Sequence, residues 1–407
     1  MTNLLKFISG QRQTLARGLF VLLLVASVLS PLEIPQLIER VDLLLMSAAA
    51  LMLILINFEA TFKILKNFNI VGISLATFYS WLWICAWASQ DIKIAVKHNI
   101  LASIYLLIFF ALLTILELEF KIKNGNSLIY SYLIFCFLSI LALIGFVEYI
   151  TPDILLFRAV GAAEQSYYPR ISSLLNNPNS LGVLMSLGIL LAFYLKKIKI
   201  ISNFEFCWGV FLLLITSSLA ASRNGWLILL SVFFLSYLYK IISLKKGIIL
   251  LAIWLAVLLL FPVSNSRLRI QEKQYSKSNT ISRISLWKAA GVEIIKHPLT
   301  GIGLGVYEER VGRKVTGRIG FHAHNIFLNV WVETGTIGLL LFLNLLVSII
   351  KKVNFRSSLS VISIILIFLS QLVDFFIADP TFMVVALYFF AIASYSAFCE
   401  SRERGFQ

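Results

Sequence analysis

His324 lies in the run Phe321-His322-Ala323-His324-Asn325, where a long polar stretch gives way to apolar sequence. An imidazole at the mouth of an apolar helix is suited to proton transfer, or to a hydrogen bond with a sugar hydroxyl. His322 is two positions away, and side chains at i and i+2 point to different sides of a helix, so the two rings do not make a joint metal site there. No cysteine or acid stands close by in sequence to complete zinc coordination, and we assign no metal. The bland alternative for either ring is a histidine that satisfies a backbone carbonyl.

The cations form the other half of the chemistry. Arg223 sits in Ser222-Arg223-Asn224-Gly225, between two apolar runs and in a connection too tight for a free loop. At that depth an arginine faces a wet cavity or pairs with an anion, and its internal candidates are Glu333, Asp374 and Asp379. Arg283 opens the stretch 282–298, which reads as a helix with Ser282 as N-cap, Trp287, Ala290, Gly291 and Ile294 on one face, and Pro298 as the stop. Too short and charged to span a bilayer, it should lie at the interface with Trp287 towards lipid or bundle. The Arg283 guanidinium then either anchors a lipid headgroup or reaches over a substrate phosphate. Arg170 precedes Asn176-Asn177-Pro178-Asn179, a polar helix entry broken by Pro178 that fits a cavity wall. Gly301-Ile302-Gly303-Leu304-Gly305 lacks the strand, helix and Lys-Ser pair of a phosphate loop and reads as a turn.

These residues must be held by a membrane protein. The chain has 407 residues, 59% hydrophobic and only 14% charged, which excludes a soluble fold. Apolar runs fall near 19–32, 41–57, 70–88, 99–117, 128–150, 174–195, 206–221, 226–242, 247–263, 325–350, 359–377 and 381–398. The expected fold class is all-α, one polytopic transmembrane bundle of about twelve helices over 1–407. The charged run at Lys6, Arg12 and Arg17 before the first apolar stretch reads as an uncleaved signal-anchor. Cys85, Cys136, Cys207 and Cys399 lie in or beside apolar runs, without metal or disulfide spacing, and read as packing residues.

The net charge of +15 divides unevenly. Placing both termini in the cytoplasm puts the short basic clusters, such as Lys196-Lys197 and Lys245-Lys246, on the inner face, as the positive-inside rule requires. The basic connection 264–324, with Arg267, Arg269, Arg283, Arg310, Arg313 and Arg318, then falls outside. Long loops translocate regardless of charge. Such a patch outside the membrane calls for an anionic ligand, not nucleic acid: lipid phosphate, a lipid-linked diphosphate or an acidic glycan.

With these residues in hand, the stretch from Arg170 to Leu341 resembles the superfamily of O-antigen ligases and Wzy-type O-antigen polymerases. His324-Asn325, nine residues, then Gly335-Thr336-Ile337-Gly338 fits that family's His-Asn-x9-Gly-x-x-Gly pattern. Ser222-Arg223-Asn224-Gly225 and the run from Arg283 to Gly303 are similar to its other signatures. The resemblance implies a GT-C-like fold in a bacterial inner membrane, with an extracytoplasmic loop carrying short interfacial helices and a cavity facing the periplasm or exterior. It implies an inverting, metal-independent glycosyltransferase without cofactor, whose donor is an oligosaccharide on undecaprenyl diphosphate and whose acceptor is a glycan. By position, Arg223 and Arg283 would hold the diphosphate, Arg170 would assist, and His324 would activate the acceptor hydroxyl. His322, Asn325, Glu333 and Asp374 are secondary candidates. The expected reaction is polymerisation of lipid-linked repeats; transfer to lipid A core by a ligase is the alternative, and a flippase of the same lipid-linked glycans is the alternative of another class.

Overall fold

The computed structural model describes residues 2–29, 41–66, 70–121, 129–151, 170–175, 177–261, 273–317, 321–353, 358–376 and 379–398. Tyr167-Tyr168-Pro169, Asn176, Arg267, Arg269, Arg318, Cys399 and the opening 264–272 of the polar connection lie outside these residues.

All regular structure among the described residues is helical. In order run α1 (Thr2–Leu29), α2 (Val41–Ile56), α3 (Phe58–Lys66), α4 (Ile70–Trp87), α5 (Ile92–Lys121) and α6 (Ile129–Ile150). There follow α7 (Pro178–Lys197), α8 (Asn203–Leu219), α9 (Arg223–Leu238) and α10 (Leu244–Leu260). The polar connection holds α11 (Lys273–Lys296), a π-helical turn (Tyr307–Gly312) and α12 (Arg313–Thr316). The chain ends in α13 (Ile326–Lys352), α14 (Ser358–Val373) and α15 (Pro380–Phe398). Each apolar run of the sequence is met by a helix. Among the described residues, 6 helices are long and apolar enough to cross a membrane, or up to 7 if the α2–α3 pair, bent by 86°, counts as one span. Four further apolar helices are shorter: the segments Asn203–Leu219, Arg223–Leu238, Leu359–Leu372 and Pro380–Tyr395. The chain is an integral membrane protein.

The central helix is α7, buried along almost its whole length from Ser180 to Phe193. It starts where proline chemistry starts a helix. Asn177 is the N-cap and accepts the Asn179 N–H, and Pro178 takes the first position, where a missing N–H costs nothing. Pro178 therefore begins this helix instead of breaking one, and the helix begins later than the apolar run does. Beside it, α9 begins at Arg223, with Ser222 as N-cap accepting the Gly225 N–H. The two helices touch at their first turns: a Cβ on Gly225 would stand 2.8 Å from the Gly182 backbone. Small residues at such a crossing let backbones approach, the usual basis of helix packing in lipid. Ser186 Oγ lies within hydrogen-bond range of both carbonyls, Gly182 O at 2.9 Å and Gly225 O at 3.0 Å.

α11 differs from the sequence expectation. It runs from Lys273 to Lys296, so the helix begins well before Ser282, the residue expected as its N-cap. Its buried stripe is Leu286, Ala290 and Ile294, packed with Ile302, Val306, Tyr307, Ala323 and Val332. Trp287 is 46% exposed and donates from Nε1 to Ala323 O at 2.7 Å, tying α11 to the histidine-bearing segment.

The glycine-rich turn docks on a break in α13. Gly335 adopts φ 70°, ψ −175° inside that helix, which releases the preceding carbonyls from their intrahelical partners. Val332 O accepts the Ile302 N–H at 3.0 Å and Glu333 O accepts the Gly303 N–H at 2.9 Å. Thr334 O accepts Trp81 Nε1–H at 2.9 Å, and the Thr336 N–H donates to Pro298 O at 2.8 Å. The corner between α4 and α5 clamps the same region: Ser89 Oγ and the Gln90 N–H both donate to Ile302 O, and Arg310 pairs with Asp91.

Candidate functional site

His324 and Asn325 occupy the entry to α13. Asn325 is the N-cap, accepting the Leu328 N–H at 3.0 Å and donating to Leu372 O at 3.2 Å. His324, just before the cap, has φ 49°, a left-handed conformation that turns its ring away from the line of the helix. Its Nδ1 lies 2.7 Å from Asp374 Oδ1. Asp374 follows α14 and is buried; its other oxygen, Oδ2, accepts Asn179 Nδ2–H at 2.9 Å. Asn179 Oδ1 in turn accepts Arg170 Nη2–H at 2.7 Å, and Arg170 Nε–H donates to Ala220 O at 2.9 Å. One chain of hydrogen bonds thus runs from Arg170 through Asn179 and Asp374 to His324.

Burial works to raise the Asp374 carboxyl, but it is outweighed. The hydrogen bond and charge of His324, the Phe375 N–H and the charge of Arg283 together hold it below the ordinary carboxylate range. An ionised carboxylate only accepts, so the hydrogen sits on His324 Nδ1, and Nε2 of a neutral ring is left as an acceptor. The arrangement is that of an imidazole oriented by a carboxylate, able to take a proton from a hydroxyl.

The cations divide into two kinds. Arg170 uses its guanidinium to hold Asn179 Oδ1 and the Ala220 carbonyl. Arg223 is exposed at the first position of α9, and among the described residues it forms no ion pair. The internal salt bridge weighed for it is therefore replaced by other pairings: Asp374 is taken by His324, and Asp379 accepts the Phe382 N–H at 3.0 Å. Glu333 is buried at the break in α13, accepting the Gly305 N–H at 2.9 Å and Asn329 Nδ2–H at 3.1 Å, and serves the fold. A cation at the positive end of a helix is unfavourable by itself, and an anion bound there relieves both charges. Arg283 is half-buried on α11, close enough to act on Asp374.

His322 is buried with its ring centroid 4.5 Å from that of Phe375, and its Nε2 lies 3.5 Å from Glu308 Oε2. Among the described residues no group of three or more His, Cys, Asp or Glu side chains could hold a metal ion. Asn179 and Glu308 were not singled out in the sequence, and Asp374 was read only as a partner for Arg223 and a secondary candidate. The polar Asn-Pro-Asn entry was a signal for Asn179; Asp374, an isolated acid 50 positions from His324, carried none.

Fold and site together define an integral membrane protein, helical throughout its described regular structure, with a carboxylate-oriented histidine, Arg283 close to that carboxylate and Arg223 at a helix entry. Residues 208–343 match the family model described as O-antigen ligase, and over this stretch the chain is similar to that family, as its motifs indicated. The match takes in Arg223, Arg283 and His324 and leaves out Arg170 and Asp374. The chain is 24% identical over 238 residues to a ComP-specific O-oligosaccharyltransferase of Acinetobacter baylyi, covering 56% of this chain and 42% of that protein. It is 29% identical over 196 residues to an uncharacterized protein of Haemophilus influenzae, covering 42% of this chain and 49% of the relative. The chain spans less than half the length of each of these relatives.

Proposed function

We propose that this protein transfers an oligosaccharide from a lipid diphosphate to a hydroxyl acceptor at the outer face of a bacterial inner membrane, with the bundle crossing the bilayer about twelve times. The observation that carries the reading is the Arg170–Asn179–Asp374–His324 chain, which presents an oriented imidazole, with Arg283 acting on the same carboxylate and Arg223 at the entry of α9. His324 Nε2 takes the proton of the acceptor hydroxyl as its oxygen attacks the anomeric carbon. The bond from that carbon to the diphosphate oxygen breaks, and the electron pair leaves with the lipid diphosphate. Arg223 and Arg283, with the first turn of α9, stabilise the charge that gathers on the departing oxygens, and attack opposite the leaving group inverts the anomeric centre. A diphosphate is already a good leaving group, so guanidinium charge and a base suffice for this route.

The acceptor separates the two transfer readings. The matched family model is described as O-antigen ligase and the named relative as an O-oligosaccharyltransferase, and on those descriptions we favour a ligase-type transfer over the polymerisation expected from sequence. The test is purified protein in detergent with lipid-linked oligosaccharide and acceptor. Glycan transfer coupled to release of lipid diphosphate supports the reading, and binding without transfer, as for a flippase, overturns it. Deleting the protein from its host settles the acceptor: polymer accumulating on the lipid marks a lost ligase, and single repeats on the final acceptor mark a lost polymerase.

A further inference from the structure

Behind the His324–Asp374 pair stands a second pair of titratable groups that the transfer step does not use. The π-helical turn Tyr307–Gly312 carries Glu308 and Glu309 on its wider coil, and such turns recur at functional sites. The two carboxylates part company. Glu309 turns to α5, pairing with Lys97 at 2.8 Å and His98 at 3.2 Å. Glu308 turns inward to His322. His322 in turn lies against Phe375, whose N–H is donated to Asp374 Oδ1 at 3.0 Å, so its ring packs on the residue that braces the carboxylate holding His324. The His322 Nδ1 atom is buried and has no hydrogen-bond partner among the described residues, and Glu308 stands at the ring's other nitrogen, Nε2.

We propose that Glu308, acting through His322, is a positioning residue of the transfer site that sets the charge beside the His324–Asp374 pair and with it the pH range in which that pair works. This rests on the reading of His324 as the base. The groups facing Glu308 and His322 are Glu309 on the same turn, Lys97 and His98 on α5, Glu333 on α13, and His324 with Asp374. Burial, and then the charge of Glu309 against the opposing pull of Lys97, push the Glu308 carboxyl up to about 7. Burial and the charges of His324 and His98, against the pull of Asp374, hold His322 down to about 3, so the ring stays neutral. The pair therefore changes charge at the carboxylate. Above about 7 Glu308 is ionised, and its negative charge favours the positive charge that His324 acquires on taking the hydroxyl proton. Below that pH it is neutral and the support is lost.

The experiment is the pH profile of single-turnover transfer between about pH 5.5 and 8.5 for wild type, Glu308→Gln, Glu308→Asp and His324→Ala, each checked for insertion and thermal stability. Wild type gains rate as pH rises through the neutral range. Glu308→Gln matches it at low pH and falls roughly 3- to 10-fold behind at high pH, so its gain with pH is smaller by that factor, whereas Glu308→Asp keeps the wild-type gain. Glu308→Gln and wild-type profiles that run parallel, or coincide, overturn the inference, as does an Asp variant that behaves like the Gln variant. If His324→Ala keeps transferring, the functional reading itself fails; if it is inactive while Glu308→Gln keeps the wild-type profile, only this inference does.

Discussion

Asp374 does two jobs through its two oxygens: Oδ1 fixes the hydrogen on His324 Nδ1, and Oδ2 is fixed by Asn179, which Arg170 holds. Replacing it by Asn keeps the shape but lets the amide N–H face the ring, so the opposite tautomer is favoured and Nε2 carries the hydrogen. Asp374→Asn should slow single-turnover transfer by about 10²- to 10⁴-fold with little change in donor binding. Asn179→Ala leaves the carboxylate in place but loosens it, and its loss in the same assay should be smaller, roughly tenfold. Equal losses for the two would place the weight on Asn179 itself and not on the carboxylate it steadies.

At the scale of elements, the site depends on two approaches that only glycine permits. Gly182 and Gly225 bring the entries of α7 and α9 together, and Gly301 and Gly335, at φ 68° and 70°, seat the glycine-rich turn on the break in α13. A Cβ on Gly335 would overlap the Leu299 carbonyl in a conformation that side chains resist, so Gly335→Ala should lower stability by roughly 2–3 kcal/mol. Gly291→Ala on α11, where a Cβ meets nothing within 4 Å, should be neutral or stabilising by roughly 0.5–1 kcal/mol. Melting curves in detergent separate the two, and a Gly335→Ala protein as stable as wild type would remove the break from the account. Much of this architecture was legible in the sequence. Every apolar run became a helix, and His324 and Arg223 stood out because a polar group at the edge of an apolar run is costly and therefore conspicuous. Other parts were silent for physical reasons. The helix starts before the expected Ser282 cap because no proline or glycine breaks 273–282. Asp374 and the Ser89-Gln90-Asp91 corner act through contacts far apart in sequence, and no local periodicity announces a partner 50 or 213 positions away.

For the whole molecule, the proposed orientation makes the first-turn ends of α7, α9 and α13 and the polar connection one outer surface. Cys207, exposed near the start of α8, lies at the opposite end of that helix from Arg223 and reports the inner face. Ile295, 80% exposed on α11, reports the outer one. In intact cells a membrane-impermeant thiol reagent should label Ile295→Cys in a Cys207→Ser background, and label Cys207 of the wild type only after the membrane is opened; the reverse pattern would invert the topology. The proposed transfer turns on His324 as the base that frees the acceptor hydroxyl. The direct measurement is single-turnover transfer from lipid-linked oligosaccharide by purified His324→Ala, with donor binding followed separately on the same sample. The predicted result is donor binding within a few-fold of wild type with transfer reduced by at least about 10²-fold. Transfer at close to the wild-type rate by a stably folded His324→Ala protein would contradict it.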